Sequence, residues 1–262
     1  MGRVAVVTGA NHGIGAAVAL ALARSGTDVA VSYLRYDIPP SSTPYDLVRA
    51  ETGAGVVAGI RDFGRKAIEL EVDLASSTAS ESIFDAVETE LGPVDILINN
   101  ASAWVADTFG ARASDRLGRQ LAPVGEDTFD RVFAVDARAS ALMIAEYARR
   151  HRDHDLGWGR IVSLSSGGPK GFPEEVSYGA AKAALENLTM SAAFELGERG
   201  VTANVVHPPV TDTGWVDDGV RRAVASSRDM FHVATPDQVA EVVTFLCSDS
   251  ANLVTANRIK LR

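Results

Sequence analysis

Short apolar runs rich in β-branched residues alternate along the chain with longer alanine-rich segments. The apolar runs predict about seven strands, at 3–8, 28–33, 66–72, 94–99, 159–165, 201–207 and 253–261. The segments between them predict helices at about 13–25, 45–64, 77–91, 126–151, 176–199 and 236–247. Since the strand runs are apolar at successive positions, they are typical of strands that helices cover on both faces. The alternation therefore predicts an α/β protein with a doubly wound parallel sheet.

Two segments interrupt this regular order. Residues 34–45 form a proline-bearing loop after the second strand, and residues 102–125 are long for a connection between a strand and a helix. Because long connections in a compact fold often carry function, both are candidates for the edge of a binding site.

Composition narrows the possible partners. The chain has 262 residues, 46% of them hydrophobic, so we expect one domain spanning 1–262. The net charge of -9 argues against nucleic acid or an anionic membrane as the main partner and leaves small molecules or proteins. The single cysteine, Cys247, has no partner for an internal disulfide and is expected to fill the core. Because the N-terminus leads directly into a strand without an apolar leader, a cytoplasmic location is expected.

Glycines cluster between the first strand and the first helix. Gly9, Gly13 and Gly15 permit a tight turn whose backbone amides approach a pyrophosphate at the positive end of the helix. Close packing of helix on strand is the alternative explanation. Asp73, at the end of the third strand, is a candidate acceptor for an adenine amino group, or equally a cap for the next helix.

Tyr178 and Lys182 stand four residues apart in a predicted helix, which places a phenol and an ammonium on one face. A phenol is a poor acid near neutral pH because its reference pKa is ~10. A positive charge a few ångströms away favours the phenolate and makes the proton transferable. An isolated pair at this spacing more often forms a solvated helix face, so the interpretation depends on the other motifs.

Five motifs follow one another along the chain: TGANHGIG at 8–15, NNA at 99–101, two serines at 165–166, YGAAK at 178–182 and VTANVVHPPVTDT at 201–213. Together they resemble the classical short-chain dehydrogenase/reductase family, in the family's order and over nearly the whole chain. The resemblance implies a Rossmann-type fold, a nicotinamide dinucleotide and hydride transfer to or from a carbonyl or alcohol carbon. It also implies a homodimer or homotetramer, although the ending RIKLR lacks the acidic, glycine-rich segment that is common in relatives.

Carried over by position, the resemblance implies that Tyr178 is the proton donor or acceptor and that Lys182 lowers its pKa. It implies that Ser166, rather than the adjacent Ser165, hydrogen-bonds the substrate oxygen. The positions expected to contact the cofactor are Gly9, Asn11, His12, Gly13, Ile14, Gly15, Tyr33, Arg35, Asp73, Leu74, Asn100, Ala101, Tyr178, Lys182, Pro208, Val210 and Thr213. The positions expected to line the substrate are Trp104, Gly168 and Trp215, the last in a loop at 211–232 that covers the substrate in relatives.

Charges near the second strand favour NADP(H) over NAD(H). An NAD site usually places an acid at the end of this strand, whereas the corresponding residue here is Tyr33 and Arg35 follows it. The nearest acid, Asp37, lies further into the loop, and His12 occupies a position that is often basic in NADP-dependent relatives. The alternatives are an exposed loop charge for Arg35 and a neutral ring packed on adenine for His12.

Two residues near the expected active site depart from the family pattern. Asp136 stands where relatives carry an Asn that holds a helix kink and a water, and a carboxylate there offsets the charge of Lys182. Pro209 replaces the usual glycine after Pro208 and stiffens the loop near the nicotinamide.

We therefore predict an NADP(H)-dependent reductase of ketones, with Ser166, Tyr178, Lys182 and Asp136 in the active site. One alternative is a cofactor-binding protein with weak or no turnover, because of Asp136; another is an NAD-dependent alcohol dehydrogenase. The sequence does not select among 3-oxoacyl thioesters, steroids, polyketides and sugars. A basic row, Arg112, Arg116 and Arg119, is expected to be a solvated helix face.

Overall fold

The computed structural model describes residues 2–36, 43–115, 117–167, 171–227 and 230–262. Gly168, Arg116 and Asp37 therefore lie outside the described residues. No helix among the described residues is long and apolar enough to cross a membrane.

A parallel sheet of seven strands runs through the centre of the molecule in the order β3-β2-β1-β4-β7-β8-β9. The strands are β1 (Val4–Thr8), β2 (Asp28–Tyr33), β3 (Ala67–Glu71), β4 (Ile96–Asn99), β7 (Gly159–Leu164), β8 (Val201–His207) and β9 (Arg258–Lys260). This order reverses direction between β1 and β4, which confirms the doubly wound, Rossmann-type fold. The last strand is shorter than the predicted 253–261, because Ala256 has a positive φ of 57° that an extended strand does not allow.

Helices cover both faces of this sheet. They are α1 (Gly13–Arg24), α2 (Pro44–Arg49), α3 (Ala54–Asp62), α4 (Ala79–Glu90), α5 (Glu126–Val132), α6 (Ser140–Asp153), α7 (Val176–Leu196), α8 (Asp218–Ser226) and α9 (Pro236–Leu246). The core on one face includes α1 and α9 with buried Cys247, as expected, and the core on the other includes α4, α6 and α7.

Two predicted helices are interrupted, and one helix was not predicted. The stretch 45–64 forms α2 and α3 separately, and between them Gly53 lies so close to β2 that an added Cβ would be 2.9 Å from Val31 Cγ1. The stretch 126–151 contains a π-helical segment, Phe133–Ala139, between α5 and α6. Helix α8 lies inside the loop predicted at 211–232.

The long connection at 102–125 has structure of its own. It forms a two-stranded parallel sheet from β5 (Asp107–Thr108) and β6 (Ala122–Pro123). Buried Asp107 accepts hydrogen bonds from both the amide and the hydroxyl of Ser177, at the start of α7. This connection is therefore fastened to the helix that carries Tyr178.

Candidate active site

A cleft of about 240 Å³ lies where the glycine turn after β1 faces the residues that follow β2, β3 and β4. Its lining is Gly9, Asn11, His12, Gly13, Ile14, Ser32, Tyr33, Leu34, Tyr36, Tyr45, Arg49, Val72, Asp73, Leu74, Asn100, Ala101, Ser102, Trp104, Val135 and Thr213. Most of the expected cofactor contacts are thus brought together in one place.

The glycine turn is held tightly against the segment after β4. Gly9 has a φ of 63°, and a Cβ there would lie 2.8 Å from Ala101 Cα, so a side chain would push the two segments apart. Asn100 Nδ2 donates hydrogen bonds of 2.9 Å to the carbonyls of Thr8 and Gly9. Gly15 is needed for packing: a Cβ there would lie 2.3 Å from the Gly9 carbonyl oxygen.

Several polar groups that border the cleft are available to bind a ligand through hydrogen bonds. His12, the residue before α1, makes no capping hydrogen bond through its side chain. The amides of the first turn lie in the positive field of the helix, which favours an anion there. The buried hydroxyl oxygens of Ser32 and Ser102 have no hydrogen-bond partner among the described residues. A glycine turn, uncapped amides and unsatisfied hydroxyls are what a phosphate-bearing dinucleotide requires, so these residues fit a nicotinamide cofactor.

The catalytic candidates lie behind one wall of this cleft. Lys182 Nζ is 5.6 Å from the centre of the Tyr178 ring, donates a hydrogen bond of 3.0 Å to the Leu164 carbonyl and lies 3.0 Å from Asp136 Oδ1. Asp136 Oδ2 accepts a hydrogen bond of 2.9 Å from the amide of Ala103, which sits between two residues that line the cleft. The side chains of Lys182 and Asp136 are only 3% and 0% exposed, so this is a buried ion pair.

The position of Asp136 follows from the π-helical segment, which occupies the place where the resemblance implies a kink. Its wider turn directs the Asp136 carboxylate toward α7, and the hydroxyl of Ser140 donates a hydrogen bond to the Asp136 carbonyl.

The charges around Tyr178 act in opposite directions. Burial raises the pKa of the half-buried Tyr178 phenol; the Lys182 ammonium and a hydrogen bond with Ser166 lower it, whereas the Asp136 and Glu175 carboxylates raise it further. The net pKa is above the ordinary value. Burial alone would lower the pKa of the Lys182 ammonium, but the Asp136 carboxylate raises it above its ordinary value. The ammonium therefore stays charged, and part of its effect on the phenol is cancelled by its partner.

The two adjacent serines face different partners. Ser165 Oγ donates a hydrogen bond of 2.6 Å to Glu186 Oε1. The Ser166 hydroxyl instead lowers the pKa of the Tyr178 phenol. Ser166 is therefore the serine that acts on Tyr178.

Neither of the two residues expected to favour NADP(H), Arg35 and His12, offers an unpaired positive charge at the cleft. Burial and the charge of Arg49 lower the pKa of His12 to about 4, so this ring is neutral near pH 7, which favours the alternative of a neutral ring at this position. Arg35 lies outside the cleft lining, because its guanidinium makes a bidentate pair with Glu71, at 2.9 and 2.8 Å.

Some of the other expected residues line the cleft, and some lie outside it. Asp73 lines the cleft and accepts a hydrogen bond of 2.8 Å from the Ala75 amide. The alternative that it caps the next helix is wrong, because α4 begins at Ala79 and its N-cap is Thr78. Pro208 and Val210 follow β8 outside the cleft lining. Trp215 is also outside the cleft lining, and its indole donates to the Thr211 carbonyl at 2.9 Å, which supports the loop.

A cluster beside Trp104 was missed by the sequence analysis. Glu175, at the start of α7, accepts hydrogen bonds from the Trp104 indole at 2.9 Å and from Arg119 at 2.7 Å. Arg119 also pairs with buried Asp115, at 2.5 Å. The expectation that the basic row is a solvated helix face is wrong for Arg119, since this segment is not helical and two carboxylates hold the guanidinium. The i,i+4 spacing of Asp115 and Arg119 was the available signal.

Comparisons with known proteins identify the family of this chain. A family profile described as enoyl-(acyl carrier protein) reductase matches residues 9–261. The cis-4-hydroxycyclohexanecarboxylate dehydrogenase of Sinomonas cyclohexanicum is 33% identical, over 96% of this chain and 92% of that protein.

Two solved structures share the architecture. The angucycline C-6 ketoreductase LanV with bound NADP has a TM-score of 0.79 and 29% identity, over 98% of this chain and 93% of that one. A blue fluorescent protein from a metagenomic library, in complex with NADPH, has a TM-score of 0.80 and 29% identity, over 99% and 96%. Because motifs, fold and relatives agree along nearly the full length, this chain belongs to the classical short-chain dehydrogenase/reductase family of oxidoreductases.

Proposed function

We propose that the protein is an NADP(H)-dependent reductase that converts a ketone on an apolar, cyclic body into a secondary alcohol. The observation that carries this proposal is the Tyr178 phenol beside the buried Lys182 ammonium, whose Nζ lies 5.6 Å from the centre of the phenol ring, behind the cleft lined by the glycine turn. The Ser166 hydroxyl supports the proposal, because it lowers the pKa of the same phenol. The names of the relatives support the substrate class, since LanV acts on an angucycline and the Sinomonas enzyme on a substituted cyclohexane ring. We also propose a cytoplasmic homodimer or homotetramer.

In this mechanism each side chain has a separate task. When bound, the dinucleotide supplies the hydride. The Ser166 hydroxyl orients and polarises the carbonyl oxygen, and the Tyr178 phenol gives that oxygen its proton. Lys182 stabilises the phenolate left behind, and the hydrogen bond to the Leu164 carbonyl keeps its ammonium in place.

NADP(H) remains the preferred cofactor. Both related structures named above contain it, as NADP or NADPH. The Arg35 and His12 charges no longer support this preference, so it depends on those structures and on Arg49, which lines the cleft.

The direct test is single-turnover reduction of a panel of ketones with bound NADPH. We expect oxidation of the cofactor with cyclic, apolar ketones, and tighter binding of NADPH than of NADH. Clearly tighter NADH binding, with turnover only of alcohols, would instead favour the NAD-dependent dehydrogenase.

Replacing Asp136 by Asn is expected to move the alkaline limb of the pH–rate profile for reduction to lower pH. Reduction needs the protonated phenol, and the Asp136 carboxylate raises the pKa of that phenol. Without the carboxylate the phenol loses its proton at lower pH, so the fall in rate begins earlier. The measurement is the single-turnover rate against pH for the parent and Asp136→Asn.

Two results would contradict this account. A limb that stays in place or moves to higher pH would show that Asp136 does not act on the phenol. A parent that binds NADPH but reduces nothing, beside an active Asp136→Asn variant, would favour the cofactor-binding protein.

A further inference from the structure

One cation lines the cleft from the helix that follows β2. Arg49 is the last residue of α2, the short helix that the chain forms between β2 and α3. It is the only arginine or lysine among the described residues of the cleft lining. The side chain is 25% exposed, so it is accessible but not free in solution.

Arg49 is held in position by its surroundings. Its guanidinium lies 4.3 Å from the centre of the Tyr36 ring and 5.4 Å from that of Tyr45, distances suited to cation–π contact. The Asn11 amide donates hydrogen bonds to the carbonyls of Arg49 and Glu51, at 3.3 and 2.9 Å, and so joins the end of α2 to the glycine turn. The guanidinium is therefore fixed relative to the phosphate-binding turn.

Among the described residues, the charge of Arg49 is poorly compensated. The nearest carboxylate in that part of the chain, Asp46, is 4.0 Å away and already accepts hydrogen bonds from the amide and hydroxyl of Thr43, at 2.9 and 2.7 Å. Arg35 differs in this respect, because Glu71 engages it through two short hydrogen bonds.

An independent observation also points to a ligand here. The hydroxyl of Ser32, near the end of β2, is in a residue only 1% exposed, has no hydrogen-bond partner among the described residues, and borders the same cleft. A buried hydroxyl without a partner is costly unless a ligand or water satisfies it.

We propose that Arg49 binds the 2′-phosphate of the adenosine ribose and is the residue that selects NADP(H) over NAD(H), an inference that rests on the proposed function. The end of β2 is where folds of this type read the ribose hydroxyls, and Tyr36 and Arg49 both follow that strand. The diphosphate has its own site at the uncapped start of α1. A planar guanidinium suits a phosphate dianion, and the tyrosine rings hold it without neutralising it.

The test compares Kd values of NADPH and NADH, by calorimetry, for the parent, Arg49→Leu, Arg49→Lys and Arg35→Leu. We expect Arg49→Leu to weaken NADPH binding about 10- to 100-fold with NADH binding nearly unchanged, and Arg49→Lys to recover part of the loss. Arg35→Leu is the matched control and should leave both values within about twofold, because its charge is already paired. In the parent, 2′,5′-ADP should bind more tightly than 5′-AMP, and the difference should shrink with added salt.

Three other results would each contradict the inference, and each has a different meaning. Equal weakening of NADPH and NADH by Arg49→Leu would assign Arg49 to the shared diphosphate. An unchanged preference in Arg49→Leu with a large loss in Arg35→Leu would return the role to Arg35. A parent that binds neither dinucleotide would contradict the proposed function as well, and unchanged NADH binding in Arg49→Leu shows that the variant is folded.

Discussion

Tyr178→Phe is expected to lower the single-turnover rate of ketone reduction by about 10²- to 10⁴-fold, the usual contribution of a positioned general acid. The substitution removes only the phenolic hydroxyl, and the ring keeps its place against Phe172, 6.0 Å away between ring centres. The binding of NADPH should change little, because Tyr178 lies outside the cleft lining. The measurement is the loss of NADPH absorbance after mixing with ketone, together with the Kd of NADPH.

Tyr147→Phe provides a matched control for this loss. It removes a phenolic hydroxyl that donates to the Asp95 carbonyl just before β4, at the opposite end of the sheet from the cleft. Its effect should fall on stability rather than on rate. Reduction by Tyr178→Phe at the parent rate would mean that another group supplies the proton, and the catalytic account would have to be abandoned.

Lys182→Met is expected to lower the free energy of unfolding by about 3–5 kcal/mol, because it leaves the Asp136 carboxylate buried without its cation. A methionine of similar length fills the space but supplies no charge and no donor to the Leu164 carbonyl. Urea denaturation of the parent and the variant, at neutral pH, measures the difference.

Two further variants separate the ion pair from other effects of the substitution. In Asp136→Asn/Lys182→Met the uncompensated charge is gone, so the double variant should be more stable than Lys182→Met alone. The surface substitution Lys66→Met should change stability by no more than about 0.5 kcal/mol. A double variant that is less stable than Lys182→Met would show that the carboxylate is not the source of the cost.

The sheet could be predicted from sequence because strands buried on both faces leave a continuous apolar run. All five residues of β1 and all six of β2 are buried, and both strands match the predicted runs closely. The glycine turn could be predicted for a related reason, since positive φ angles at Gly9 and Gly13 and the close approach to Ala101 leave little choice of residue. Burial of successive residues and the backbone conformation of a tight turn each restrict the residue types allowed, so both can be predicted from a sequence.

The charges of the site could not be predicted in the same way, because they depend on residues that are distant in the chain. Arg35 follows β2, and Glu71 belongs to β3; only the pairing of Tyr33 with Glu71 across the two strands brings them together. The position of Arg49 at the cleft could not be predicted, because the sequence predicts one helix over 45–64. In such a helix Arg49 would be an ordinary surface residue. The neutral state of His12 likewise depends on burial and on Arg49.

The π-helical segment Phe133–Ala139 makes the length of this stretch as important as its composition. A π turn holds more residues than an α turn, so a chain one residue shorter would close into a regular helix. Everything beyond it would rotate by about 100°, the angle between neighbouring residues of an α-helix. Met143 and Tyr147, only 1% and 0% exposed, would swing away from the sheet. Substitutions in this segment should therefore be tolerated far better than the deletion of a single residue.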